Sequence, residues 1–153
     1  MIRRIAQIAV AITIAVAPLA AAQAARTQSA PPAPAKLTGV LASVQGVWQM
    51  TNANGQDLAG SGQDITITIK DNTYVQAVNG QVIEKGTFKV DEGKKPMTID
   101  INVVEGDDAG KTQLGVFELT GTTMKGKLAD PGGTRAADFT IAEGYFVFVM
   151  VKK

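Results

Sequence analysis

Asp64-Ile65-Thr66-Ile67-Thr68-Ile69-Lys70 decides the fold. Apolar and polar residues alternate there without a break. In an extended strand successive side chains point to opposite faces, so the three isoleucines share one face and the threonines the other. A helical period does not segregate them. On the C-terminal side, Asp71-Asn72 makes a tight turn into residues 73–78. Asn79-Gly80 follows, a dipeptide that accepts the positive φ a two-residue hairpin needs, and it returns the chain through 81–90. Val82, Phe88 and Val90 are expected to share a face of that strand. Residues 91–95 are a polar turn. Pro96 stands at a strand start, where a missing N–H is tolerated. Met97, Ile99, Ile101 and Val103 then alternate with Thr98, Asp100 and Asn102.

The pattern continues in both directions. Residues 105–110 form an acidic loop and 111–119 another strand. Gly121 turns the chain into 122–128, and Asp130-Pro131-Gly132-Gly133 reads as a loop. Residues 135–141 are a candidate short strand, and 145–151 a last one of seven consecutive apolar residues. With 46–51 at the start, nine strands are predicted and no helix within the domain. Short connections imply antiparallel neighbours. A long meander leaves two unpaired edges, and closure removes them. The expected fold is therefore all-β: an antiparallel up-and-down meander closing into a small barrel of eight to nine strands. A two-sheet sandwich is the alternative.

The N-terminus reads differently. Met1-Ile2-Arg3-Arg4 is a basic start, residues 5–19 are almost wholly apolar, and Ala22-Gln23-Ala24 fits the small-x-small cleavage pattern. Residues 1–24 are thus expected to be a signal peptide helix, cleaved after Ala24. The competing reading is an uncleaved anchor, although about 15 apolar residues is short for a span. Residues 25–36, ARTQSAPPAPAK, form a Pro/Ala-rich linker, expected to be extended and disordered. Residues 37–153 are the domain. The expected location is outside the cytoplasm, periplasmic or secreted, with no stable membrane span after cleavage.

Composition narrows the chemistry. The domain carries eleven basic and fourteen acidic side chains, net −3, and its only adjacent basic pairs are Lys94-Lys95 and Lys152-Lys153. A nucleic-acid binder would show a basic stripe instead. There is no Cys and no His. That excludes disulfides, thiolate nucleophiles, Cys-based zinc sites and a Ser-His-Asp triad. Nucleophile-elbow, phosphate-loop and dinucleotide motifs are absent too.

At Gly46-Val47-Trp48 the strand pattern meets a known signature. Gly-x-Trp opening the first strand of an antiparallel barrel resembles the lipocalins. More specifically, the domain resembles an uncharacterised family of lipocalin-like domains from planctomycete and related bacteria, with a calycin-like barrel. The matching blocks are VQGVW at 44–48, EKGTFKV at 84–90, KKPMTID at 94–100 and GKTQLGVFEL at 110–119. The resemblance runs in order through residues 37–153. KGKLA at 125–129 departs from the family's more apolar run. The family implies a barrel and no established activity. In lipocalins the residue equivalent to Trp48 plugs the closed end and packs against a late-strand Arg. Arg135 is the domain's sole Arg, so the resemblance implies that it stacks on the indole, a contact worth roughly 0.5–2 kcal/mol. The plainer reading is a core Trp and a solvated Arg. Gly46, Trp48 and Arg135 are structural in either reading.

The candidate ligand-binding residues are those expected to face the lumen: Met50, Ile67, Ile69, Phe88, Ile99, Ile101, Met124, Phe146 and Phe148. Trp48 and Ile65 are expected to point inward with them. A barrel of this size either fills its interior or holds one small ligand, and a cavity above roughly 300 Å³ favours the binder. Glu105, Asp107 and Asp108 crowd one loop but fit no calcium motif. Asp57, Asp130 and Asp138 are carboxylates for which the sequence shows no pairing of the kind hydrolysis needs. No cofactor, metal or catalytic residue is assigned. The expected function is a non-enzymatic, monomeric binding module for a small hydrophobic molecule. The alternative is an interaction protein of the cell envelope, its barrel filled by side chains and its mouth loops at 52–63 and 104–110 contacting a partner protein.

Overall fold

The structure is a computed structural model that describes residues 37–153; the expected signal peptide and linker lie outside the described residues. One short helix, α1 (Gly39–Ser43), precedes the strands β1 (Gly46–Ala53), β2 (Gln56–Asp57), β3 (Ile65–Lys70), β4 (Thr73–Val78), β5 (Gln81–Asp91), β6 (Met97–Glu105), β7 (Thr112–Thr120), β8 (Thr123–Ala129) and β9 (Tyr145–Lys152). Each strand from β3 to β9 pairs antiparallel with the next. β1 pairs with β3 on one side and β9 on the other, which closes an eight-stranded barrel. β2 is an extra strand on the end of β1. Among the described residues no helix is long and apolar enough to cross a membrane.

The isoleucine face of β3 sets the register. Ile67 lies opposite Trp48, and Ile69 opposite Tyr74. The inward row continues around the wall through Phe88 facing Ile101, Val90 facing Ile99, Met97 facing Phe117 and Met124 facing Met150. These side chains form the core cluster, with Trp48 fully buried at its base. On the outer face of β9, Val147 is also buried, so both faces of that apolar strand are covered.

Three expectations are corrected. Residues 135–141 are not a strand: β8 pairs directly with β9 from Thr123–Val151 to Ala129–Tyr145, leaving no edge to receive it. Instead residues 130–144 form a strap over the outer face of β8. Its ends are tied by the Asp130 amide donating to the Gly144 carbonyl at 2.9 Å. Second, a helix is present. α1 is a single turn of GVLAS, too short to show a period, and its Val40 and Leu41 pack on the core. Third, Val82 does not share a face with Phe88 and Val90. β5 bulges between Glu84 and Val82, opposite Gln76 and Ala77 of β4. The extra residue, Ile83, shifts the alternation, and Val82 and Ile83 end exposed. A second bulge, on β6 opposite Lys85 and Gly86, leaves Val104 exposed beside them.

Candidate functional site

Trp48 and α1 close one end of the barrel. The indole N–H donates to the Val44 carbonyl at 2.7 Å. The Val40 amide donates to Glu92 at 2.9 Å. Gln45 accepts from the Asp71 amide at 2.6 Å and donates to the Asp71 and Leu41 carbonyls, tying α1 to the β3–β4 turn. The cation over Trp48 is Lys152, whose ammonium lies 5.6 Å from the ring and donates to the Ser43 carbonyl at 3.1 Å.

Arg135 does not stack on Trp48, contrary to the expectation from the resemblance. It sits in the strap, on the outside of the wall, and its guanidinium donates to the carbonyls of Ile99 and Gly115 at 2.9 and 2.6 Å and to Asp100. The strap also buries Lys127. Its ammonium donates to the Thr140 carbonyl at 2.5 Å, lies 3.6 Å from Asp138, and sits 4.4 Å from the Tyr145 ring. Asp138 accepts from the Thr140 amide, and this bond, with the lysine behind it, holds its carboxyl below the usual aspartate range.

Above Trp48 lies a cavity of about 210 Å³, partly open to solvent. Since α1 blocks the Trp48 end, the opening lies at the other end, near the β4–β5 and β6–β7 turns. Met50, Ile67, Ile69, Phe88, Ile99, Ile101, Met124, Phe146 and Phe148, the candidate ligand-binding residues, all line it, whereas Trp48 and Ile65, expected inward with them, do not. Val44 lines it at the α1 end, while Trp48 is fully buried within the core cluster and Ile65 packs against that cluster. The volume falls below the roughly 300 Å³ typical of drug-sized pockets. Large side chains fill much of the lumen.

Glycines at three inward positions keep space beside those side chains. At Gly126 a β-carbon would run into the Phe148 ring, and at Gly115 into Leu128. At Gly86 it would meet the Tyr74 ring at 2.6 Å and the Asn102 carbonyl. Small residues thus sit directly across from large ones (Gly126 opposite Phe148, Gly86 opposite Tyr74), which lets the rings lie over the neighbouring strand.

Four polar residues on the same wall escaped the sequence reading: Tyr74, Gln76, Glu84 and Gln113. The Tyr74 hydroxyl donates to Glu84 Oε1 at 2.6 Å. Burial, and then the Glu84 carboxylate, push this phenol far above its ordinary value, so it stays a donor. Gln76 is the direct cross-strand partner of Glu84, and Gln113 faces Ile101. The signal was available. Counting in twos from Ile69 across to Tyr74 puts Gln76 inside, and counting back from Phe88 puts Glu84 there.

Two of the three loop acids have local partners. Glu105 pairs with Lys85 at 2.7 Å and Asp108 with Lys111 at 2.8 Å. Asp57 accepts from the Ala59 amide at 2.8 Å in its own turn. Among the described residues no three acidic side chains gather as a metal site.

A family model described as a lipocalin-like domain matches residues 44–126, from the carbonyl that receives the Trp48 indole to the middle of β8. No curated protein and no solved structure matches the chain.

Proposed function

The chain belongs to the lipocalin-like domain family, and on that premise we propose that its barrel is a non-enzymatic binding module holding one small hydrophobic molecule in the lumen. The observation that carries this reading is the largely apolar cavity of about 210 Å³ that runs from Val44 to the open end. An engineered cavity of about 150 Å³ already takes benzene, so this lumen suits a ligand of about ten non-hydrogen atoms rather than a long lipid. Barrels of this family typically bind rather than catalyse. The reading includes export of the chain by residues 1–24, action in the periplasm or medium as a monomer, and kinship with domains of planctomycete and related bacteria through the blocks at 94–100 and 110–119.

Native mass spectrometry of the protein purified from its own cell envelope tests the reading. The expected spectrum holds the chain plus one small mass. That extra mass is expected to vanish in Leu128→Trp, which fills the lumen from β8. A bare chain in both samples overturns the reading.

One observation favours a second reading. Val82, Ile83 and Val104 stand exposed on the bulged strands at the open rim. Exposed apolar side chains gathered on a rim suit contact with an envelope protein. In the same spectrum this reading gives a co-purified protein and no small mass.

A further inference from the structure

The lumen is apolar except on one side. Tyr74 and Gln76 of β4, Glu84 of β5 and Gln113 of β7 occupy inward positions that elsewhere on the wall hold Ile, Phe, Met or Leu. A polar group facing an apolar cavity is unfavourable unless something satisfies it. Only one of their bonds is made within the protein: Tyr74 gives its proton to Glu84 Oε1. Glu84 Oε2 and the two glutamine amides make no side-chain hydrogen bond among the described residues, and since no partnerless side-chain atom there is fully buried, they reach solvent through the open mouth. Charge is one-sided as well. Among the residues lining the cavity Glu84 alone is charged, and no Lys or Arg joins it. The adjacent Lys85 is occupied on the outside by Glu105.

We propose that Tyr74, Gln76, Glu84 and Gln113 form an anchoring site for a protonated amine, so that the ligand of this lumen is a small apolar amine and not a carboxylic acid. The proposal rests on the reading of the lumen as a ligand site. A cation placed at Glu84 Oε2 meets its counter-charge beside an apolar wall at a partly open mouth, where the attraction exceeds that in bulk water. Its remaining N–H groups find an acceptor in the side-chain carbonyl of Gln76, the cross-strand neighbour of Glu84, with Gln113 further along the wall, and charge-assisted bonds of this kind are the strong ones. Tyr74 holds the carboxylate in place from below and, being kept protonated, leaves the second oxygen free. A ligand carboxylate would face Glu84 with no cation to receive it. The apolar part, of the size of one ring with a short chain, occupies the space toward Phe88, Phe146 and Phe148.

Isothermal titration of the purified full chain with phenethylamine, phenylacetate and ethylbenzene tests the anchor, because the three probes share a ring and differ at the tail. The amine is expected to bind about tenfold or more tighter than either other probe. Glu84→Gln is expected to remove that advantage while leaving ethylbenzene within about twofold. Equal or tighter binding of phenylacetate or ethylbenzene to the wild-type chain overturns the amine anchor and leaves the lumen reading standing. Failure of all three to bind overturns both. The wild-type ranking decides the matter even where Glu84→Gln does not fold.

Discussion

Arg135 shows how one side chain can hold a stretch that has no regular structure. Its guanidinium spans two facing strands, reaching the Ile99 and Gly115 carbonyls and Asp100 together. A lysine in its place keeps one charge but loses the planar fork. Arg135→Lys is therefore expected to lower stability by about 1–2 kcal/mol, read as a shift in the urea midpoint at constant slope. Asp138, a few residues on, acts through charge. Its carboxyl is more acidic in the folded chain than in the unfolded one, because it accepts from the Thr140 amide and faces Lys127. Stability from such a group is present above the unfolded value and drains away as pH falls through the folded one. Urea midpoints measured from neutral to strongly acid pH are expected to decline less steeply below the usual aspartate range in Asp138→Asn than in the wild-type chain. Lys127, buried beneath, shows why the KGKLA run departs from an apolar strand: the strap supplies the carbonyl and the ring that a buried ammonium needs.

At the level of strands, the cross-strand pairing of glycine with a ring is the feature open to test. A methyl added at residue 126 meets the Phe148 ring, so Gly126→Ala is expected to cost about 1–3 kcal/mol. Combined with Phe148→Leu, the loss is expected to be smaller than the sum of the two single losses, as a double-mutant cycle on thermal midpoints reads directly. Seven of the nine expected strands were readable because alternation and turn residues agree along them: the Ile65–Ile69 run, Asn79-Gly80 and the Met97–Val103 alternation each point to one register. An eighth, β9, was readable from its length and its apolar content. The ninth expectation, 135–141, failed because alternation there has another cause. Arg135, Ala136 and Phe139 are spaced by the strap's separate contacts along the outer wall: Ala136 is buried, and Phe139 lies 5.0 Å beneath the Lys125 ammonium. β2 was missed although Asn54-Gly55, with both φ positive, carries the same hairpin signal as Asn79-Gly80. Phe146 and Phe148 stand on the wholly apolar β9, where alternation marks no face, but the other seven of the nine apolar lumen residues follow from parity alone. Gln76 and Glu84 do too, but a polar residue on an inward count reads as a slip of register until the bulge at Ile83 is known.

For the whole barrel, the division into a sealed end and an open end explains where chemistry can occur. At the α1 end the Trp48 N–H, Gln45, Glu92 and Lys152 all have partners. Unspent polar capacity lies on the lumen wall, with Gln76, Glu84 and Gln113, and unspent apolar surface lies at the rim, with Val82, Ile83 and Val104. The closure itself has a temporal side. Among the described residues β9 is the only strand that joins β8 to β1, and it follows both in sequence. Until it emerges, the growing chain is an unsealed ribbon whose two margins, β1 and β8, lie bare to any neighbour. The arrival of Tyr145–Lys152 is therefore the moment at which this wall turns from a sticky sheet into a vessel.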